Sequence, residues 1–188
     1  MNIPERVKNI LLQPVQEWPV IEKEPGSVSD LYTSYIVPLA AIGPVASFIG
    51  FSVFGFRVPF GAMVRIPFGS AIGYAVVSYI LSLAGVYLLG LVINASAPTF
   101  QGVKNAAQAL KLAAYSSTAA WVAGVFSLIP MLSFLQILGF YSLYLLYLGL
   151  PVLMKSPQEK TLGYAVTVVI AAIVIFSLIG AIGRAVAF

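Results

Sequence analysis

Polar and apolar positions divide the chain into one mixed segment and four long uncharged runs. Residues 1–29 interleave apolar and charged positions, and the uncharged runs 31–56, 66–103, 112–154 and 161–183 follow with few charges between them. A helix crosses the ~30 Å hydrocarbon core of a bilayer with about 20 apolar residues, so this pattern predicts an all-α, polytopic membrane protein. The run 112–154 would make a straight helix roughly 65 Å long at about 1.5 Å per residue, too long for one crossing. Pro130, with Ser133 just after it, is the natural break. The expected spans are 31–54, 69–94, 105–129, 133–154 and 162–182, a bundle of five transmembrane helices.

Residues 1–29 read as a cytoplasmic or interfacial segment of two short amphipathic pieces. Pro4 suits a helix start, and Val7, Ile10 and Leu11 then fall on one helical face until Pro14 ends the piece. Val15, Trp18 and Ile21 offer a second apolar face, which Pro19 is expected to interrupt. Trp18 is a residue type that settles at headgroup level. Ser27 and Asp30 have the spacing of a capping box. Pro38 and Pro44 should bend the first span. No compact apolar stretch of signal-peptide kind precedes residue 31, so the first span itself is expected to target an uncleaved chain.

Composition agrees with a membrane environment: 60% of the 188 residues are hydrophobic and only 9% are charged, against about a quarter charged in soluble domains. Neither Cys nor His occurs, which removes disulfides, thiol catalysis, and thiolate or imidazole metal sites, and no cofactor is expected. The formal charge of +4 is scattered in pairs at membrane edges, so nucleic acid is not an expected partner. Basic residues set the orientation. With the N-terminus inside, the inner segments hold Arg6, Lys8, Lys23, Lys104, Lys111, Lys155 and Lys160, and the outer ones hold Arg57, Arg65 and Arg184. That asymmetry predicts a cytoplasmic N-terminus and an external C-terminus in the inner, or cell, membrane.

Close helix packing in lipid uses small residues at four-residue spacing. Gly43 with Ser47, Ala46 with Gly50, Gly69 with Gly73, and Ser116, Ala120 and Gly124 supply such pairs. No charged residue lies deep within an expected span, which counts against a proton-coupled carrier. The uncharged candidates for a polar lane are Tyr74 and Asn94 on span two and Tyr141, Tyr144 and Tyr147 on span four. Aromatic packing, with the hydroxyls on backbone carbonyls, is the alternative reading. Lys104, Lys111, Lys155 and Lys160 are candidate contacts for anionic lipid headgroups, and snorkelling lysines are the plainer reading of the same residues. The sequence has no nucleophile elbow, phosphate loop or paired intramembrane carboxylates, so an enzyme is not expected.

The order of segments resembles a short prokaryotic member of the Yip family, the Ypt/Rab-interacting-protein domain. The resemblance rests on Pro14-x-x-x-Trp18-x-x-Ile21-x-x-Glu24, Asp30-Leu31-Tyr32, Gly73-Tyr74 and the Tyr144–Pro151 stretch with Tyr147, Gly149 and Pro151. It implies five transmembrane helices and a cytoplasmic N-terminus. Eukaryotic relatives are associated with Rab-type GTPases and vesicle traffic. Their acidic-Leu-Tyr motif continues with Gly-Pro, whereas Thr33-Ser34 follows Tyr32 here, and their cytoplasmic region is much longer, so only the membrane domain carries over.

The expected function is therefore that of a non-enzymatic integral membrane protein that organises or scaffolds bilayer components. The lipid bilayer is its partner, with a second copy or another membrane protein as the further option. The alternative is a passive channel or small-solute transporter that uses the polar lane on spans two and four.

Overall fold

The computed structural model of the chain describes residues 2–57 and 63–187. The link 58–62, and the side chains of Arg57 and Arg184 that entered the orientation argument, lie outside the described residues.

Prolines punctuate the N-terminal segment as its sequence suggests, with one exception. Helix α1 (Ile3–Leu12) carries Pro4 in its first turn, where a missing N–H costs nothing. It stops at Gln13, whose N–H bonds back to the Asn9 carbonyl at 2.7 Å, and Pro14 opens α2 (Pro14–Lys23). The expectation that Pro19 interrupts this second piece is overturned, because α2 runs through it. An interior proline costs about 3 kcal/mol. Trp18 and Ile21 on the same helix are both fully buried, at about 1.5–3 kcal/mol for each large apolar side chain, and that burial holds the helix together.

The capping box at the mouth of the first span is present. Ser27 Oγ accepts the Asp30 N–H at 3.0 Å, and Asp30 accepts the Ser27 N–H at 3.2 Å. The span is segmented. Helix α3 (Val28–Leu31) passes through a π turn (Tyr32–Ile36) into α4 (Val37–Ala40), then α5 (Ile42–Ile49) and a second π turn (Gly50–Phe54). Pro38 and Pro44 fall in the first turns of α4 and α5, so each starts a new helical piece. A two-residue antiparallel ladder follows, β1 (Phe56–Arg57) on β2 (Met63–Val64), with Phe56 opposite Val64.

Helix α6 (Phe68–Ser96) ends in a 3-10 turn (Ala97–Phe100), and α7 (Ala106–Ser116) starts at Asn105, whose side chain accepts the Gln108 N–H. A kink at Ser117 separates α7 from α8 (Thr118–Ala123), which continues as a 3-10 turn (Gly124–Leu128). Ile129 is extended, and the chain reverses into a 3-10 helix (Pro130–Phe140) that leads into α9 (Tyr141–Leu153). Helix α10 (Gln158–Ala187) closes the order.

Four of these segments are long and apolar enough to cross a membrane: Val28–Phe54, Phe68–Phe100, Pro130–Leu153 and Gln158–Ile182. The described residues thus supply four such helices where five are expected. The missing one is the expected span 105–129, which is broken at Ser117 and carries Gln108, Lys111, Ser116, Ser117 and Thr118. Its position accounts for its polarity. Every residue from Ala109 to Ser116 is buried, because α6, α9 and the N-terminal helices surround α7, which needs no apolar outer face. The spans around it present exposed apolar side chains outward, among them Ile80, Leu91, Phe134, Ile170 and Leu178. Only some of the small-residue pairs are used. Gly43 packs against Gly124 and Gly50 against the backbone of Ser127, whereas Gly69 and Gly73 face open space.

Candidate functional site

The densest polar arrangement lies where α1 and α2 pack on α7. Arg6 is buried and donates to both Glu17 and Glu24, with its guanidinium 5.8 Å above the Tyr115 ring. The Tyr115 ring stands 4.5 Å from that of Tyr35, and the Tyr35 hydroxyl is 2.7 Å from that of Thr118. Lys111, also buried, donates to the carbonyls of Ile21 at 2.9 Å and Glu24 at 2.6 Å, which neutralises the open end of α2. Gln108 donates to the Glu22 carbonyl. At the rim, Lys155 pairs with the Glu22 carboxylate.

Arg6 and Glu22, in the N-terminal helices, depart from ordinary titration. Burial opposes the Arg6 charge, yet Glu24 and Glu17 outweigh it and hold the guanidinium above its usual value. The hydrogen bond from Lys155 holds the Glu22 carboxyl below its usual value.

Two cavities adjoin this arrangement. A polar pocket of about 340 Å³ opens beside the Pro25-Gly26 link, lined by Glu24, Asp30, Ser34, Lys111 and Tyr115. A larger, mostly apolar cavity of about 480 Å³ lies between α6, α7–α8, α9 and α10. Its serine hydroxyls are spent on backbone. Ser82 donates to Tyr79, Ser116 and Ser117 donate to Ala113, and Ser142 accepts the Ala120 N–H.

The residues of the expected polar lane are not gathered into one interior path. Tyr141, Tyr144 and Tyr147 are 37%, 47% and 42% exposed on the outer face of α9. The rings of Tyr141 and Tyr144 touch at 5.4 Å. Tyr74 and Asn94 are half-buried on α6, and Asn94 Oδ1 is buried without a hydrogen-bond partner among the described residues. The four candidate headgroup lysines also differ from one another. Lys104 and Lys160 are exposed, Lys155 is engaged by Glu22, and Lys111 is taken up by the carbonyls of α2. Trp18, expected at headgroup level, is instead fully buried, because Gly149 leaves room for its indole against α9.

Arg6, Glu17, Tyr35, Tyr115 and Thr118 were not singled out by the sequence. A signal for the first two exists. Arg6 shares a face with Ile10, and Glu17 shares one with Ile21. Opposite charges on the apolar faces of two consecutive short helices call for a buried pair.

The motif residues of the Yip resemblance converge on the same region. Trp18 and Leu112 both lie against Gly149, while Glu24, Asp30 and Leu31 line the polar pocket. Tyr32 donates to the Leu83 carbonyl at 3.0 Å, and Pro151 sits within α9. Gly73 and Tyr74 stand apart on α6. A model of the Yip1 domain matches residues 8–179, almost the whole chain. The chain belongs to the Yip1 domain family. Inner membrane protein YohC of Escherichia coli K12 is 29% identical to it over 163 residues, covering 85% of this chain and 84% of that protein. The protein of the same name in Escherichia coli O6:H1 matches to the same extent. No solved structure matches the chain. The Yip1 domain here is thus an integral membrane protein, and these two Escherichia coli relatives are inner membrane proteins.

Proposed function

We propose that this Yip1 domain is a non-enzymatic scaffold that organises components of the inner membrane, with a cytoplasmic N-terminus, an external C-terminus and five crossings. The fifth crossing is α7–α8 with its 3-10 extension, of which the α7 part is sheltered from lipid by α6, α9 and the N-terminal helices. One observation carries the reading. At the α7 end the bundle interior is filled, with Trp18, Leu112, Leu145, Leu150 and Met154 all fully buried, while the tyrosines that would line a solute path face outward. An interior filled at that end, a cavity beyond it that is mostly apolar with its serine hydroxyls spent on backbone, and an outward aromatic face suit lateral contacts with lipid or with other membrane proteins better than permeation.

Flux from liposomes tests the reading. The expected result is solute movement no faster than through protein-free vesicles, unaffected by Tyr144→Phe or Asn94→Ala. A flux abolished by either substitution would replace the scaffold with the passive-channel alternative. Reporter fusions after Phe188 test orientation, and a cytoplasmic readout there would reverse it.

A further inference from the structure

The turn between α1 and α2 sits deeper than a segment resting on the membrane would. The rod Pro130–Leu153 fixes its depth. Its 3-10 half has 11 residues, about 22 Å at ~2.0 Å per residue, and its α half has 13 residues, about 20 Å at ~1.5 Å per residue. The rod is therefore about 42 Å long, against a hydrocarbon core of ~30 Å.

At the Pro130 end, Ile129 is extended, and such irregular backbone belongs outside the hydrocarbon. At most about 12 Å of rod then projects beyond the opposite face. Tyr141 stands about 18 Å from Leu153 along the helix, so its backbone lies at least ~6 Å inside the hydrocarbon. Tilting the rod takes it deeper. The Tyr141 hydroxyl donates to the carbonyl of Leu11 at 3.1 Å, and a helical side chain leans toward the N-terminus of its helix, here toward Pro130. The contact is therefore no shallower than Tyr141 itself.

We infer that α1–α2 is a re-entrant hairpin whose tip, Leu12 and Val15, is surrounded by the acyl chains of one leaflet. Leu12 is 70% and Val15 61% exposed, beside the lipid-facing side of α9. Residues 9–16 carry no charge. The backbone polar groups of the turn are reduced as lipid demands: Tyr141 occupies the Leu11 carbonyl, the Gln13 N–H bonds the Asn9 carbonyl, and Pro14 has no N–H to leave unpaired. The exposed amides of Gln13 and Gln16 are the uncharged polar groups left at the tip. Glu17, two residues past Val15, is neutralised by Arg6 in the bundle. The exposed charge nearest Leu12, Lys8, stands one turn (about 6 Å) back along α1, from where its long side chain can snorkel to the headgroups. The inference goes beyond the proposed scaffold and needs only that Pro130–Leu153 crosses the membrane, whichever face is cytoplasmic.

The chain has no cysteine, so Leu12→Cys, Val15→Cys and Lys23→Cys each introduce a single thiol at an exposed position. The full chain is reconstituted in phosphatidylethanolamine–phosphatidylglycerol liposomes and labelled with an environment-sensitive fluorophore. Labels at 12 and 15 are expected to emit at shorter wavelength than the label at 23. They should be quenched more by phospholipid bearing a nitroxide on its acyl chain than by one bearing it on the headgroup, with the reverse order at 23. In vesicles opened by freeze–thaw, unlabelled thiols at 12 and 15 should react with a water-soluble maleimide several-fold more slowly than the thiol at 23. Headgroup quenching dominant at 12 and 15, or equal reaction rates at all three positions, would overturn the re-entrant hairpin.

Discussion

Trp18 lies directly against Gly149: a Cβ at 149 would stand 2.8 Å from the indole Cε2 and Cζ2 and 2.5 Å from Leu112 Cδ1. The indole is fully buried, and a rigid ring cannot fold away as the end of a flexible chain can. The contact joins two parts of the family motif that are far apart in sequence, α2 and the end of α9.

Gly149→Ala is therefore expected to destabilise the protein by about 1–3 kcal/mol through overpacking, although alanine is the better helix former by about 1 kcal/mol. The check is the thermal unfolding midpoint in detergent, with Trp18→Phe added to make room. The double variant should recover part of the loss, a coupling expected only of residues in contact. A raised midpoint in Gly149→Ala alone would mean that propensity outweighs the contact.

Arg6→Ala leaves Glu17 buried without its counter-charge, and removing one partner of a buried pair costs about 3–5 kcal/mol. Replacing both, Arg6→Leu with Glu17→Leu, should fall much closer to the unaltered protein, because the desolvation cost disappears with the charges. Hydrogen exchange reads the difference locally. Amides of α1 and α2 should lose protection in the single variant and keep most of it in the double. Since Arg6 is held above its already high ordinary value, no accessible alkaline pH mimics the single variant.

Most of the architecture could be read from hydropathy, because four segments present long apolar runs outward and lipid enforces such runs. The hairpin at Pro130 and the segmentation at Pro38 and Pro44 were legible for a covalent reason, the missing proline N–H. The central helix was harder to interpret. Lys111 and Gln108 look like a membrane-edge face in sequence, but they bond to the backbone of α2, whose position no local pattern specifies. Trp18 misleads for the same reason. Its burial depends on a glycine 131 residues further along the chain, and only the assembled bundle brings the two together.

The surface pair of Glu22 and Lys155 gives a pH dependence with a definite sign. The folded state holds the Glu22 carboxyl below its ordinary value, so its contribution is present above the ordinary glutamate range and is lost as pH falls through the depressed folded value. Comparing the unfolding midpoint of the protein with that of Glu22→Gln isolates it. A gap at neutral pH should close as the medium becomes acidic, and added salt should narrow it at neutral pH, since both groups meet solvent. A gap that stays constant with pH would mean that the substitution acts on packing rather than charge.

Gly50, Gly73 and Gly124, on three different segments, separate close helix packing from an open face. A Cβ at Gly50 would fall on the backbone carbonyl of Ser127, and one at Gly124 would lie 2.9 Å from the Gly43 Cα. Both obstacles are main chain and cannot rotate aside, so Gly50→Ala and Gly124→Ala must push α5 and the π turn after it away from the segment Gly124–Leu128. At Gly73 nothing lies within 4 Å, and relief of helix-interior glycine there should leave the midpoint unchanged or raise it by the equivalent of about 0.5–1 kcal/mol. All three positions satisfy the same small-residue spacing in the sequence, so differences among them report tertiary position alone. If Gly73→Ala proved as damaging as Gly50→Ala, the open face of α6 would be in contact with something in the intact membrane. Size-exclusion light scattering of that variant would then show whether the contact is a second copy, by loss of a dimer.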